Sequence, residues 1–230
     1  GWWEPAPEGA RLAPKTPAPP EALQGLGYLQ GYDAAPAAHG VTVHDRARVQ
    51  AGLNLYTSGH GPEAFVMDME GRVRHRWRRP IRDVWPDVDD KDPSAACWRR
   101  VHAYPNGDLL AIFDGIGLVK LDRESRVLWA YRGGCHHDLF VRRSGQIDVI
   151  ARRSRALPAL HPTRATLDDL VVSLDRDGGV LRTVSLYDAF AASPFSPLLA
   201  RVAQGGDIFH TNTLTLLDGN EAPGSEVFQR

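Results

Sequence analysis

The 230-residue chain has little cysteine, little methionine and no excess of charge of either sign. Its two cysteines are too few for a disulfide-stapled scaffold, and they do not establish a redox compartment. The 27 basic and 28 acidic residues leave a net charge of −1, which argues against a general nucleic-acid-binding protein. No apolar run approaches the roughly 18 residues that a membrane-spanning helix needs. These absences favour a domain that is stabilised by its own apolar core.

Glycine and proline, in contrast, are abundant, with 22 and 17 copies. Such a composition favours many short strands joined by tight turns. Several prolines fall between residues 5 and 20, where they deny the backbone both helix and sheet hydrogen bonds. We therefore interpret residues 1–40 as a Pro-rich linker or strap and residues 41–230 as the folded domain.

From residue 41 onward, a strand–turn–strand pattern repeats. Each copy ends its first strand in an aspartate, with Gly or Ser three residues later and Val five residues later. The anchoring residues are Asp68, Asp122 and Asp175, at intervals of 54 and 53 residues. Asp and Gly at these offsets are typical of a hairpin turn in which one residue has a positive φ. A second strand–turn–strand element, with Gly107 or Gly145 at its turn, precedes the later two hairpins.

Four strands in roughly 50 residues form the unit of a β-propeller blade. The pattern predicts blades at residues 41–77, 99–131 and 137–186, and a partial fourth blade from residue 210. The innermost strands are predicted at 41–45, 99–104, 137–142 and 209–217. The predicted fold is thus an all-β propeller of four-stranded antiparallel blades, of which about three and a half are present. A twisted sandwich of about twelve strands is the alternative, but it does not explain the repeat.

Two histidine motifs open successive predicted blades: His136-His137-Asp138, and Asp207-Ile-Phe-His210-Thr-Asn212. At these motifs the chain resembles the bacterial arylsulfate sulfotransferase (arylsulfotransferase) family, and residues 41–77 are similar to the opening blade of its shorter members. The resemblance implies a six-bladed protein whose active site lies in the central channel. It also implies export, either to the periplasm or on a membrane anchor upstream of residue 1 that faces the periplasm.

The activity implied by the resemblance is PAPS-independent sulfuryl transfer without a cofactor. An aryl sulfate donates its sulfuryl group to a histidine, and a phenol then takes the group from this sulfohistidine. The family places that histidine in a later blade, so we expect the nucleophile beyond Arg230 and expect this chain to be an N-terminal half. Unpaired blade edges then predict aggregation or poor stability.

Histidines at the starts of innermost strands are the candidate catalytic residues. His210 would donate a proton to the leaving phenolic oxygen or accept one from the acceptor. Asn212, two residues on and so on the same face, would hold the substrate. His137 is the second catalytic candidate, and His136 is a substrate-binding candidate. Because adjacent strand residues face opposite sides, the sequence leaves open which of the two enters the channel. The structural alternative for His210 is a buried ring that caps a strand end.

Alignment on the two turn glycines places Arg99 where His137 stands, so Arg99 is a candidate sulfate ligand. A surface ion pair is its alternative role. The aspartates between residues 87 and 92 are interpreted as a solvated acidic loop, and we predict neither a metal nor a cofactor. Cys97 and Cys135 occupy equivalent blade positions, and the sequence leaves open whether they form a disulfide.

The predicted partners are a small-molecule aryl sulfate and a phenol, with no nucleic acid, while the oligomeric state is open. The alternative function is a non-catalytic propeller scaffold that binds a partner or a glycan, because the fold alone does not determine the function. A quinoprotein dehydrogenase would need stacked aromatics and a calcium site at the channel, for which the sequence shows no cluster. Convergence of the histidines on one point would favour the transferase over the scaffold.

Overall fold

The computed structural model describes residues 40–163, 165–202 and 206–217. The chain divides into two compact units, Gly1–Arg132 and Gly133–Arg230, and the described part of each is built mainly of β-strands. Within the described residues, no helix is long and apolar enough to cross a membrane. The predicted linker of residues 1–40 lies outside the described residues except for Gly40.

The first unit contains two antiparallel sheets. One has three strands in chain order: β1 (Leu53–Thr57), β2 (Glu63–Asp68) and β3 (Val73–Arg78). The other has four strands in chain order: β4 (Trp98–Ala103), β5 (Leu109–Phe113), β6 (Gly117–Leu121) and β7 (Val127–Tyr131). Short 3-10 helices at Ile81–Asp83 and Pro93–Ala95 lie between the two sheets in the chain.

Both sheets of the first unit contribute to one apolar core. All five residues of β5 are buried, and the indoles of Trp77 and Trp98 are almost completely removed from solvent. Nε1 of Trp77 donates to the carbonyl of Gly107 at 3.1 Å, and Oγ1 of Thr57 donates to the carbonyl of Trp98 at 3.1 Å. The sheets are therefore held together by apolar burial and by hydrogen bonds that satisfy polar groups at the contact.

The second unit is a longer antiparallel sheet. Its four main strands are β8 (Cys135–Val141), β9 (Ile147–Ala156), β10 (Ala165–Leu174) and β11 (Val180–Ser185), each paired with the next. The short strand β12 (Gly206–Asp207) pairs in parallel with the beginning of β10. Helix α1 (Leu186–Ala191) starts at Ser185, whose hydroxyl accepts the N–H of Asp188. A 3-10 helix follows at Ser196–Arg201.

The all-β prediction is confirmed, and so are the two four-stranded meanders predicted at residues 99–131 and 137–186. Their predicted innermost strands correspond to β4 and β8. Strands β9 and β10 are the longest of the sheet, with ten residues each. Closure of the sheets into a propeller ring stays a prediction.

Two predicted innermost strands are wrong. No strand forms at residues 41–45, where the chain turns instead and the N–H groups of Arg48 and Val49 donate to the carbonyl of Asp45. The first sheet therefore has three strands and not four. Residues 209–217 also form no strand. Three of their backbone N–H groups donate to carboxylate side chains that are described below.

The three repeated hairpins share the turn that the sequence predicts. In each, Oδ1 of the aspartate accepts the N–H groups of the residues two and four positions later. The residue three positions later has a positive φ: 82° at Gly71, 64° at Ser125 and 86° at Gly178. The repeat therefore comes from one carboxylate and one left-handed residue in each turn.

Replacing Gly178 by alanine should destabilise the second unit. A side chain at φ 86° is strained, and we expect the free energy of unfolding to fall by about 1–2 kcal/mol. Urea unfolding followed by far-UV circular dichroism measures this change. The matched control is Gly59→Ala, because Gly59 has no positive φ and an added Cβ there meets no atom within 4 Å. Equal stability of the two variants would contradict the left-handed turn.

Candidate active site

A wide β-bulge in β8 contains the sequence His136-His137-Asp138. Cys135 pairs with Ala151 and Leu139 pairs with Val149, so three residues of β8 lie opposite one residue of β9. His137 has a φ of 54°, in the left-handed region that side chains rarely adopt. Bulges of this kind redirect side chains, and they are common beside active sites. The expectation that His136 and His137 face opposite sides of a regular strand therefore does not apply here.

Gly134 allows the chain to enter this bulge. Its φ is 69°, and a Cβ at this position would lie 2.3 Å from the carbonyl oxygen of Arg152. That carbonyl cannot move away easily, because it belongs to the backbone of the neighbouring strand β9. Only glycine permits this close approach of the two backbones.

His210 lies on the segment that follows β12. Its Nδ1 is 2.5 Å from Oδ2 of Asp207, and its backbone N–H donates to Oδ1 of the same carboxylate at 2.9 Å. His210 has a φ of 46°, and its side chain is 41% exposed. It is therefore not the buried strand cap that the structural alternative required.

Two side-chain carboxylates accept backbone N–H groups of this segment, which in a sheet would donate to the carbonyls of a neighbouring strand. Oδ2 of Asp169 accepts the N–H of Thr211 at 2.8 Å, and Oδ2 of Asp138 accepts the N–H of Leu214 at 3.1 Å. Both aspartates are buried, so each bond satisfies a charged group that would otherwise be costly. These bonds explain why the predicted strand at residues 209–217 does not form.

The structure brings the three candidate histidines together within the second unit. The ring centroids of His137 and His210 lie 5.2 Å apart, with an angle of 76° between the planes. The rings of His136 and His137 lie 4.9 Å apart, and their Nδ1 atoms are separated by 2.8 Å, which is a hydrogen-bond distance. His136 and His137 are thus linked to each other, and His137 also contacts His210.

Asp169 completes the cluster, and the sequence reasoning missed it. Its Oδ1 lies 3.5 Å from Nε2 of His136, and both side chains are almost fully buried. Burial raises the pKa of Asp169, but hydrogen bonds from His136 and from Thr211 lower it more, so the net pKa lies below the usual range. The signal in the sequence was a pair of aspartates in the middle of a strand that is otherwise mostly apolar.

The neighbouring Asp168 faces the other side of β10 and has a different role. It accepts hydrogen bonds from the guanidinium groups of Arg153 and Arg155 and from the hydroxyl of Ser185. Arg155 also pairs with Asp188 at the start of α1. This network therefore connects β9, β10 and α1 and takes no part in the histidine cluster.

The remaining predicted site residues are Asn212 in the second unit and Arg99 in the first. Asn212 is exposed on the segment that Asp169 and Asp138 hold. Arg99 is exposed on β4 in the first unit, at a one-residue bulge of that strand, and its predicted role as a sulfate ligand stays a prediction. Cys97 and Cys135 are free thiols. Burial raises the pKa of Cys135 to about 12, which argues against a nucleophilic thiolate there.

The lowered pKa of Asp169 predicts how Asp169→Asn alters acid stability. The unfolded pKa is about 3.9, so the stabilisation from the ionised group is complete above that pH and is lost as the pH falls through the lower folded pKa. The difference in free energy of unfolding between the native protein and the variant should therefore shrink as the pH falls below about 4. Urea unfolding between neutral and strongly acidic pH tests this. The control is Asp177→Asn, at an exposed carboxylate, and a pH-independent difference for Asp169→Asn would contradict the prediction.

Comparison with known proteins adds no family to this geometry. No protein-family model matches the sequence, and no curated protein matches it either. The histidine cluster in the described part of the second unit is therefore the main indication of function.

Proposed function

We propose that the second unit carries a site for sulfuryl transfer from an aryl sulfate to a phenol, through a sulfohistidine and without a cofactor. One observation carries the proposal. His137 and His210, which lie far apart in the sequence, meet at 5.2 Å, and both have a left-handed backbone. In the described part of the chain only three non-glycine residues have a positive φ, and these histidines are two of them. Each left-handed residue costs about 1–2 kcal/mol, so their presence side by side favours a functional role over a purely structural one.

The Asp207–His210 pair suits His210 to proton transfer. The carboxylate of Asp207 accepts the proton on Nδ1, which fixes the ring and makes Nε2 the reacting nitrogen. As an imidazolium, His210 donates the Nε2 proton to the oxygen of the departing phenolate. As a neutral ring, it accepts a proton at the same nitrogen. The 41% exposure of the side chain leaves it accessible to a small substrate.

The charge of the substrate fits the same cluster. A sulfate ester carries a negative charge on its oxygens throughout the transfer, and charge also develops on the leaving phenolic oxygen. A protonated histidine ring beside these atoms stabilises the charge by a charge-assisted hydrogen bond. Within the same unit, Asn212 is proposed to add a donor to the sulfate oxygens. Export to the periplasm belongs to the same proposal.

Replacement of His210 tests the proposal. Asparagine tolerates the left-handed conformation, so His210→Asn removes the imidazole with little change to the backbone. In the full-length protein, we expect the rate of sulfate transfer from phenyl sulfate to a naphthol to fall by about 10²-fold or more. The product, naphthyl sulfate, is measured by liquid chromatography and mass spectrometry.

The control for this experiment is His60→Asn, at an exposed histidine of the first unit, which should retain full activity. Circular dichroism of both variants checks the fold. Absence of aryl sulfate product from the unaltered full-length protein, at any substrate concentration within solubility, would overturn the proposed function. Equal rates for His210→Asn and the unaltered protein would overturn the role of His210.

A further inference from the structure

Two phenylalanine rings form a stacked pair next to His210 in the second unit. Phe190 lies on α1, and Phe209 immediately precedes His210 in the chain. The two ring centroids are 5.3 Å apart, with an angle of 30° between the planes. Both side chains are half-buried, so part of each ring remains open to solvent. We propose that this pair is an aryl subsite, which binds the ring of the substrate while His210 contacts its sulfate end. The inference rests on the proposed function, because it places the ring of the same substrate.

The backbone on both sides of Phe209 is fixed. Before it, β12 pairs with the beginning of β10, and Oδ1 of Asp207 accepts the N–H of His210 at 2.9 Å. After it, the N–H of Thr211 donates to the buried carboxylate of Asp169 at 2.8 Å. The residue that carries the ring is therefore held against the sheet before any ligand arrives. A group that is already ordered loses little conformational entropy on binding, which favours affinity.

Phe190 is fixed by the contacts of α1. Its carbonyl accepts the hydroxyl of Ser193 at 2.8 Å and the N–H of the same residue at 3.1 Å. Nearer the start of the helix, the carboxylate of Asp188 accepts hydrogen bonds from Arg155 of β9 at 2.9 Å. The helix is thus anchored to the sheet, and the two stacked rings come from elements that are each held to it.

The chemistry of an aryl sulfate matches this arrangement. Aromatic rings stack with their centroids about 4.5–7 Å apart, and such contacts add binding free energy beyond the burial of apolar area. Consecutive Cα atoms lie about 3.8 Å apart, so a sulfate group on a ring that stacks against Phe209 is within reach of the next side chain. That side chain is His210, which is 41% exposed. An apolar surface beside one polar group is the usual composition of a small-molecule site.

A role in packing alone predicts different behaviour from an aryl subsite. In a packing contact, phenylalanine contributes apolar volume, and leucine supplies much of the same volume. Stacking with a ligand needs an aromatic face, which leucine does not have. Phe209→Leu and Phe209→Tyr therefore separate the two roles, because only the tyrosine variant keeps the ring.

The first experiment measures binding of a ligand that does not react. Naphthalene-2-sulfonate carries three charged oxygens on an aromatic ring through a carbon–sulfur bond, so its binding is measured without turnover. In the full-length protein, isothermal titration calorimetry should show a Kd that is roughly tenfold higher in Phe209→Leu and nearly unchanged in Phe209→Tyr. Binding of cyclohexanesulfonate, whose ring has no aromatic face, should change little in either variant. Phe190→Leu removes the other ring and should also weaken naphthalene-2-sulfonate binding.

The second experiment separates the ring contact from the chemistry at His210. For transfer from phenyl sulfate, Phe209→Leu should raise KM by roughly tenfold with little change in kcat, since the stacking contact is the same in the ground state and the transition state. His210→Asn should instead lower kcat. The control for both experiments is Phe195→Leu, at a phenylalanine that is 63% exposed, which should match the unaltered protein. Circular dichroism checks that each variant folds.

The outcomes for the aryl subsite and for the proposed function are distinguishable. An unaltered Kd for naphthalene-2-sulfonate in folded Phe209→Leu and Phe190→Leu would overturn the aryl subsite and leave the proposed function standing. Equal weakening by Phe195→Leu would overturn it as well, and so would an equal loss of cyclohexanesulfonate binding. If the unaltered protein binds naphthalene-2-sulfonate in the ring-dependent manner but transfers no sulfate, the proposed function fails and the aryl subsite is retained.

Discussion

The arrangement of the second unit depends on two buried carboxylates that replace a missing strand ladder. Asp138 and Asp169 accept backbone N–H groups of the segment that follows β12, and in doing so they place His210 against the bulge of β8. Hydrogen bonds to charged groups contribute about 1.5–3 kcal/mol each, more than neutral ones. Two such bonds offset a cost of about 1–2 kcal/mol for each left-handed histidine. The histidine cluster can therefore persist although its backbone is strained.

The carboxylate of Asp169 contacts two different parts of the histidine cluster. One of its oxygens holds Thr211, next to His210, while the other faces His136. Asp169 therefore connects the backbone beside His210 with the ring of His136, which in turn contacts His137. His137 and His210 are thus connected through Asp169 and His136 as well as through their own ring contact.

The features that were predictable from the sequence are the local ones. The repeated turns at Asp68, Asp122 and Asp175 depend on residues within five positions of each other, so their pattern is visible in one dimension. The sequence predicts a strand at residues 209–217 because the alternation of residue types carries no information about hydrogen-bond acceptors that are distant in the sequence. Here the acceptors lie 42 and 76 positions away, at Asp169 and Asp138.

The bulge explains why the sequence left the choice between His136 and His137 open. In a regular strand the two rings would point to opposite faces, and only one of them would reach a site. The bulge in β8 places three residues opposite one residue of β9. The rings of His136 and His137 therefore contact each other, with 2.8 Å between their Nδ1 atoms. A backbone irregularity that costs free energy therefore brings together two rings that a regular strand would place on opposite faces.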